Sequence, residues 1–176
     1  MVLVGGNDVL ALVSEKAKRF YRVFKGIPRD PSAEWYRENM LAIARALKPG
    51  TCTKIGFCSL TPIGENLDAQ EPLQRALNRH LAEHSEIVHD VAEREGLEYL
   101  PVFERLCNEI RASPGLALSS FRFLPMYRDA FRALVLRQAP DEIANKNGWR
   151  IHTDGVHLNS RGGKVLAGFV QVFIEQ

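Results

Sequence analysis

The chain has 176 residues, 45% of them hydrophobic and 25% charged, with a formal net charge of +2. That balance fits one globular domain and gives no basis for binding nucleic acid or an anionic membrane surface. No apolar run approaches the ~20 residues of a membrane-spanning helix.

Met1 to Val13 is apolar, but Asn7 and Asp8 interrupt it and no basic segment precedes it, so a secretory leader is not expected. Met1 to Val4, ending at Gly5-Gly6, has the β-branched character of a buried strand. A helix is predicted over Glu15 to Lys25, ending near Gly26. Asp30-Pro31 supplies an N-cap and a first-turn proline for the next helix, which places Tyr36, Met40, Ile43, Ala44 and Leu47 on one face and stops at Pro49-Gly50. A second strand is expected over Thr53 to Leu60, followed by the loop Thr61-Pro62-Ile63-Gly64-Glu65. A long helix follows from Pro72 to Glu95, and then a third strand from Leu97 to Phe103. Residues 112–148 are less regular, a candidate lid or insertion with a helix over Pro125 to Gln138. The last helix starts near Ser160, read as its N-cap, and runs to Ile174. Strands alternating with helices of this length predict an α/β layer with a parallel sheet.

The cysteines, Cys52, Cys58 and Cys107, are odd in number and scattered. On one strand, Cys52 and Cys58 would lie roughly 20 Å apart, beyond disulfide reach. They read as buried or partly buried thiols in a reducing compartment, the cytoplasm by default.

Two short segments carry chemistry. Gly5-Gly6-Asn7-Asp8 ends the first predicted strand, and Asp154-Gly155-Val156-His157-Leu158-Asn159 precedes the last helix. In open α/β sheets, ligands bind at the carboxyl ends of strands, where both segments would lie. The three-residue spacing lets Asp154 reach one ring nitrogen of His157 and leave the other for a nucleophile. Asn7 offers a side-chain donor of the kind that stabilises an oxyanion, typically worth ~3 kcal/mol in acyl transfer.

A strand ending G-x-N-D, a strand ending T-P-I-G-E and a D-x-x-H-x-N loop opening a last helix, in that order, resemble the conserved blocks of the SGNH (GDSL-type) hydrolases. Asn78 and Glu98-Tyr99-Leu100 suit the same pattern, and the resemblance covers nearly the whole chain. It implies a flavodoxin-like three-layer α/β/α fold and one domain over residues 1–176. It also implies hydrolysis of a small-molecule ester through a Ser-His-Asp mechanism with no cofactor. His157 then matches the general base, Asp154 the acid and Asn7 the oxyanion donor, with Gly5 and Asp8 supporting the turn.

The family's nucleophilic serine and a further oxyanion-hole glycine lie in blocks ahead of G-x-N-D. Here that motif follows Met1 by four residues, so the first strands and the nucleophile are expected to be missing and the chain by itself to be inactive as a serine esterase. Truncation is the favoured explanation, because a sheet without its central strand exposes a long apolar edge. A serine from another chain and a degenerate, non-catalytic binding protein are the alternatives. Ser59 has no nucleophile-elbow signature. His80-Leu81-Ala82-Glu83-His84 formally matches H-x-x-E-H, a zinc motif. His84, however, shares a stripe with Leu73, Leu77, Leu81, Val88 and Val91, which favours a core histidine, so no metal site is expected. Phe121, Phe123, Tyr127 and Phe131 read as an acyl pocket or lid, or as ordinary core.

Overall fold

The computed structural model describes residues 1–48, 54–120 and 123–175. These form eight helices and one two-stranded parallel sheet. They divide into two compact units, one of Met1–Thr61 with Arg79–Glu104, the other of Pro62–Asn78 with Arg105–Gln176.

The first unit opens with helix α1, Gly6–Val13, which packs on α2, Glu15–Lys25. The sequence predicts a strand ending in a G-x-N-D turn, but Asn7 and Asp8 already lie in the first helical turn. Gly5, at the N-cap, has φ +119°, and a Cβ there would lie 2.7 Å from the Tyr36 hydroxyl oxygen. Only glycine meets both conditions without strain. In α2 the Ser14 hydroxyl accepts from the Ala17 amide at 3.3 Å.

Helix α3, Ala33–Leu47, is capped by Ser32, whose Oγ accepts from the Trp35 amide at 3.1 Å. Asp30 is therefore not the cap; its carboxylate takes Arg22 at 2.5 Å instead. Tyr36, Met40 and Ala44 are buried as their spacing predicts, while Leu47 is exposed. The predicted stop at Pro49-Gly50 lies outside the described residues, as do Cys52 and Thr53. Cys58 and Cys107 are buried and not in disulfides, and burial pushes the Cys58 thiol up to about 11.

Strands β1, Gly56–Cys58, and β2, Glu98–Leu100, pair in parallel with Phe57 opposite Tyr99. Val2 adds a single parallel bridge to Phe57, donating to Gly56 O and accepting from Cys58 N, both at 2.8 Å. Residues 1–4 thus lie beside β1 in the expected direction but make no longer ladder. Met1, Leu3 and Val4 are exposed.

This overturns the flavodoxin-like three-layer α/β/α expectation: the described chain is helix-dominated, with two strands of three residues each. The predicted strand over Leu97 to Phe103 is cut short because α5, Val102–Ala112, begins inside it. Val102, Leu106, Cys107 and Ile110 are all buried, a helical period that outweighs the short apolar run before it. The buried Ser59 Oγ accepts from the Phe103 amide at 2.8 Å, so a side chain from just beyond β1 fixes that helix start. From α5 onward no further strand forms among the described residues.

Helix α4, Pro72–Glu95, occupies its predicted span. Its residues from Arg79 onward belong to the first unit, where Leu81, His84, Val88 and Val91 are buried, each aliphatic side chain stabilising by ~1.5–3 kcal/mol.

In the second unit, 112–148 holds helices α6, Phe123–Leu134, and α7, Pro140–Asn147. The buried Asp129 of α6 accepts from Asn147 Nδ2 of α7 at 2.7 Å and pairs with Arg128 and Arg132 at 3.1 Å. Helix α8, Ser160–Glu175, closes the described chain. No helix among the described residues is long and apolar enough to cross a membrane.

Candidate functional site

The second unit builds the D-x-x-H loop from a small hairpin. His152 bridges Leu158 in antiparallel fashion, Thr153 N donates to His157 O at 2.7 Å and Asn159 N donates to Ile151 O at 3.0 Å. Residues 154–156 form its tip. There Asp154 Oδ1 accepts from the Val156 and His157 amides at 2.9 and 2.8 Å, an Asx-type turn. Its other oxygen, Oδ2, meets His157 Nδ1 at 2.8 Å. One carboxylate therefore shapes the turn and orients the ring.

The Asp154 side chain is 12% exposed and that of His157 67%. Burial works to raise the Asp154 carboxyl, but the hydrogen bonds from the His157 ring and amide outweigh it and hold the carboxyl below its ordinary value. The same ring hydrogen bond raises His157 above an ordinary histidine, against a smaller effect of burial. With Nδ1 fixed as the donor to Asp154, neutral His157 presents an unprotonated Nε2, which has no partner among the described residues. That is the geometry of a general base.

Sequence reasoning missed what holds the loop. Glu65, the last residue of T-P-I-G-E, is buried and accepts from the amides of Arg150 (2.9 Å), Ile151 (2.7 Å) and His152 (2.9 Å). It also meets His152 Nδ1 at 3.0 Å, while His152 Nε2 faces Pro62 O at 2.9 Å. Both ring nitrogens thus face oxygen atoms. Gly64 N donates to Gly155 O at 2.7 Å, so the T-P-I-G-E loop also grips the hairpin tip. The motif's conspicuous Gly-Glu pair was the available signal; which backbone it would bind was not.

Asn159 corrects a second expectation. Its Oδ1 accepts from the Arg161 and Gly162 amides at 3.0 and 3.2 Å, so Asn159, not Ser160, caps α8. Its Nδ2 donates to Arg150 O and His152 O. Ser160 N donates to Asp141 Oδ1 at 2.9 Å.

Asn7, Gly5 and Asp8 belong to the first unit, and the Asp154–His157 pair to the second. Asn7 is exposed and its Oδ1 accepts from the Tyr21 hydroxyl at 2.8 Å. Burial pushes the Asp8 carboxyl up, with its own backbone amide opposing. Ser59 is fully buried and donates to Glu104 Oε2 at 2.9 Å, the environment of a structural hydroxyl.

His84 is fully buried, with Nδ1 against His80 O at 2.8 Å and its ring 4.7 Å from that of Tyr36. Its Nε2 has no partner among the described residues. His80 turns to Glu83 at 3.0 Å. No group of three or more His, Cys, Asp or Glu among the described residues is placed to hold a metal. Tyr127 and Phe131 are more than half exposed, so they are not core, and Phe121 and the Phe123 side chain lie outside the described residues.

No family model, curated protein or solved structure matches the chain.

Proposed function

We propose that this chain carries the acid–base half of an ester-hydrolysing site, with Asp154 as the acid and His157 as the general base. The reading rests on one observation: an exposed imidazole held through Nδ1 by a largely buried carboxylate at 2.8 Å. The D-x-x-H-x-N resemblance to SGNH hydrolases supports it. A hydroxyl placed against Nε2 would lose its proton to His157 as it attacks the ester carbonyl. The imidazolium would then return that proton to the leaving alkoxide, giving an acyl-enzyme.

The second reading, a non-catalytic binding protein, is favoured by the absence of any serine hydroxyl bonded to His157 among the described residues. Turnover of an activated short-chain p-nitrophenyl ester separates the two. The hydrolytic reading expects the 176-residue chain to hydrolyse it slowly, with His157 acting on water. No acyl-enzyme burst and no fluorophosphonate labelling are expected, and the rate should vanish in His157→Ala. Equal rates for wild type and His157→Ala overturn the hydrolytic reading. Stoichiometric fluorophosphonate labelling would show that the chain holds its own nucleophilic serine.

A further inference from the structure

Beside the hairpin, within the second unit, lies a cavity of about 490 Å³ with an unusual balance of charge. Arg150, Arg161 and Lys164 line it together with Asn145, Trp149 and Asp141. Asp141 is the lining's carboxylate among the described residues, and its Oδ1 is already engaged by the Ser160 amide. Neither Arg150 nor Lys164 forms an ion pair among the described residues, and Arg161 has only a distant partner, Glu109 at 3.7 Å. Three cations thus line a space of ligand size whose own lining holds one carboxylate.

The lining is built by the elements that hold the loop. Arg150 is positioned through its backbone, its amide on Glu65 and its carbonyl on Asn159, and these bonds do not use its guanidinium. Arg161 and Lys164 project from the first turns of α8. The amides of that helix end are taken by Asn159 and Asp141, so the positive side chains, not the helix terminus, provide the attraction. Trp149 forms one wall. A Cβ on Gly155, which has φ +88°, would lie 2.6 Å from the Trp149 ring, so the indole rests on the hairpin tip.

We propose that this cavity binds a small organic oxyanion, a phosphate- or carboxylate-bearing molecule held by Arg150, Arg161 and Lys164 against the Trp149 ring. Guanidinium groups match such oxyanions through paired hydrogen bonds, and an ammonium adds a point charge. The site does not depend on the ester-hydrolase reading, because it uses neither His157 nor Asp154.

The test is titration of the whole chain with inorganic phosphate and, separately, malonate, followed by NMR of the Trp149 indole and the 160–164 amides. It is run in about 150 mM salt, where diffuse attraction is screened beyond about 8 Å. The expected result is saturable shifts at those signals for at least one probe; the tighter one identifies the charged group recognised. Arg150→Gln and Lys164→Gln should each weaken binding about tenfold, the loss of one charge-assisted contact. Unchanged thermal unfolding would confirm that the fold is intact. His157→Ala should bind as wild type does, so failure here is separable from failure of the hydrolytic reading. No saturable shift with either anion, or undiminished affinity in the Arg150→Gln/Lys164→Gln double variant, overturns the proposal.

Discussion

Replacing Glu65 by glutamine tests the claim that one buried carboxylate organises the hairpin that carries Asp154 and His157. The side chain is 1% exposed and takes hydrogen bonds from the amides of residues 150–152 and from the His152 ring. A hydrogen bond to a charged group contributes ~1.5–3 kcal/mol, against ~1 for a neutral one. Glutamine can offer its oxygen to the Ile151 amide, the His152 amide and the His152 ring, but only at neutral strength, which costs about 3 kcal/mol in sum. Its amide nitrogen then faces the Arg150 N–H, donor against donor, adding about 1 kcal/mol. The total is about 3–5 kcal/mol. Urea unfolding should show a lower midpoint at unchanged slope. A pH series adds an independent check. Burial works to raise the Glu65 carboxyl, but the His152 ring and the amides outweigh it and hold it below the ordinary glutamate value. Its folded value is depressed, so its stabilisation is present above the unfolded value of about 4.3 and is lost as pH falls through the folded one. The wild-type and Glu65→Gln stabilities should therefore converge in acid. A loss under about 1 kcal/mol at neutral pH, or curves that stay parallel into acid, would refute the assigned role.

Three further outcomes follow from the same geometry. The His157 ring should titrate above an ordinary histidine by NMR, and Asp154→Asn should bring it back toward about 6.5, because the carboxylate hydrogen bond is the main cause of the rise; an unmoved titration would show that the pair does not interact in solution. Burial lowers His84, with His80 O and Glu83 opposing, so the fold favours the neutral ring and stability should decline as pH falls below about 6.5. His84→Leu should flatten that part of a denaturation-versus-pH curve, and an unaltered slope would assign it to other groups. Asn159→Ala removes the α8 cap and the bonds to two hairpin carbonyls, which should lower stability by about 2–3 kcal/mol in chemical denaturation, whereas a change near zero would deny Asn159 its anchoring role.

Local patterns carried some of the helices, while α1, α5 and α7 were not expected. The apolar period and flanking Pro-Gly signals place α2 and α4 at their observed bounds. The spacing of Asp154 and His157 also foretells their bond, because a three-residue loop can bring carboxylate and ring together. Short apolar runs carried much less. Met1 to Val4 and Leu97 to Phe103 could serve as strands, as bridges or as helix starts, and periodicity over so few residues does not decide among them. Tertiary partners decided: Phe57 gives Val2 one bridge, and Ser59 Oγ captures the Phe103 amide and starts α5 where a third strand was expected. Glu65 and His152 are 87 residues apart in sequence, and no local signal announces that one will take the backbone of the other's loop. A buried charge must be met by donors wherever the fold brings them, so their identity belongs to the packing of the second unit rather than to any segment of the chain.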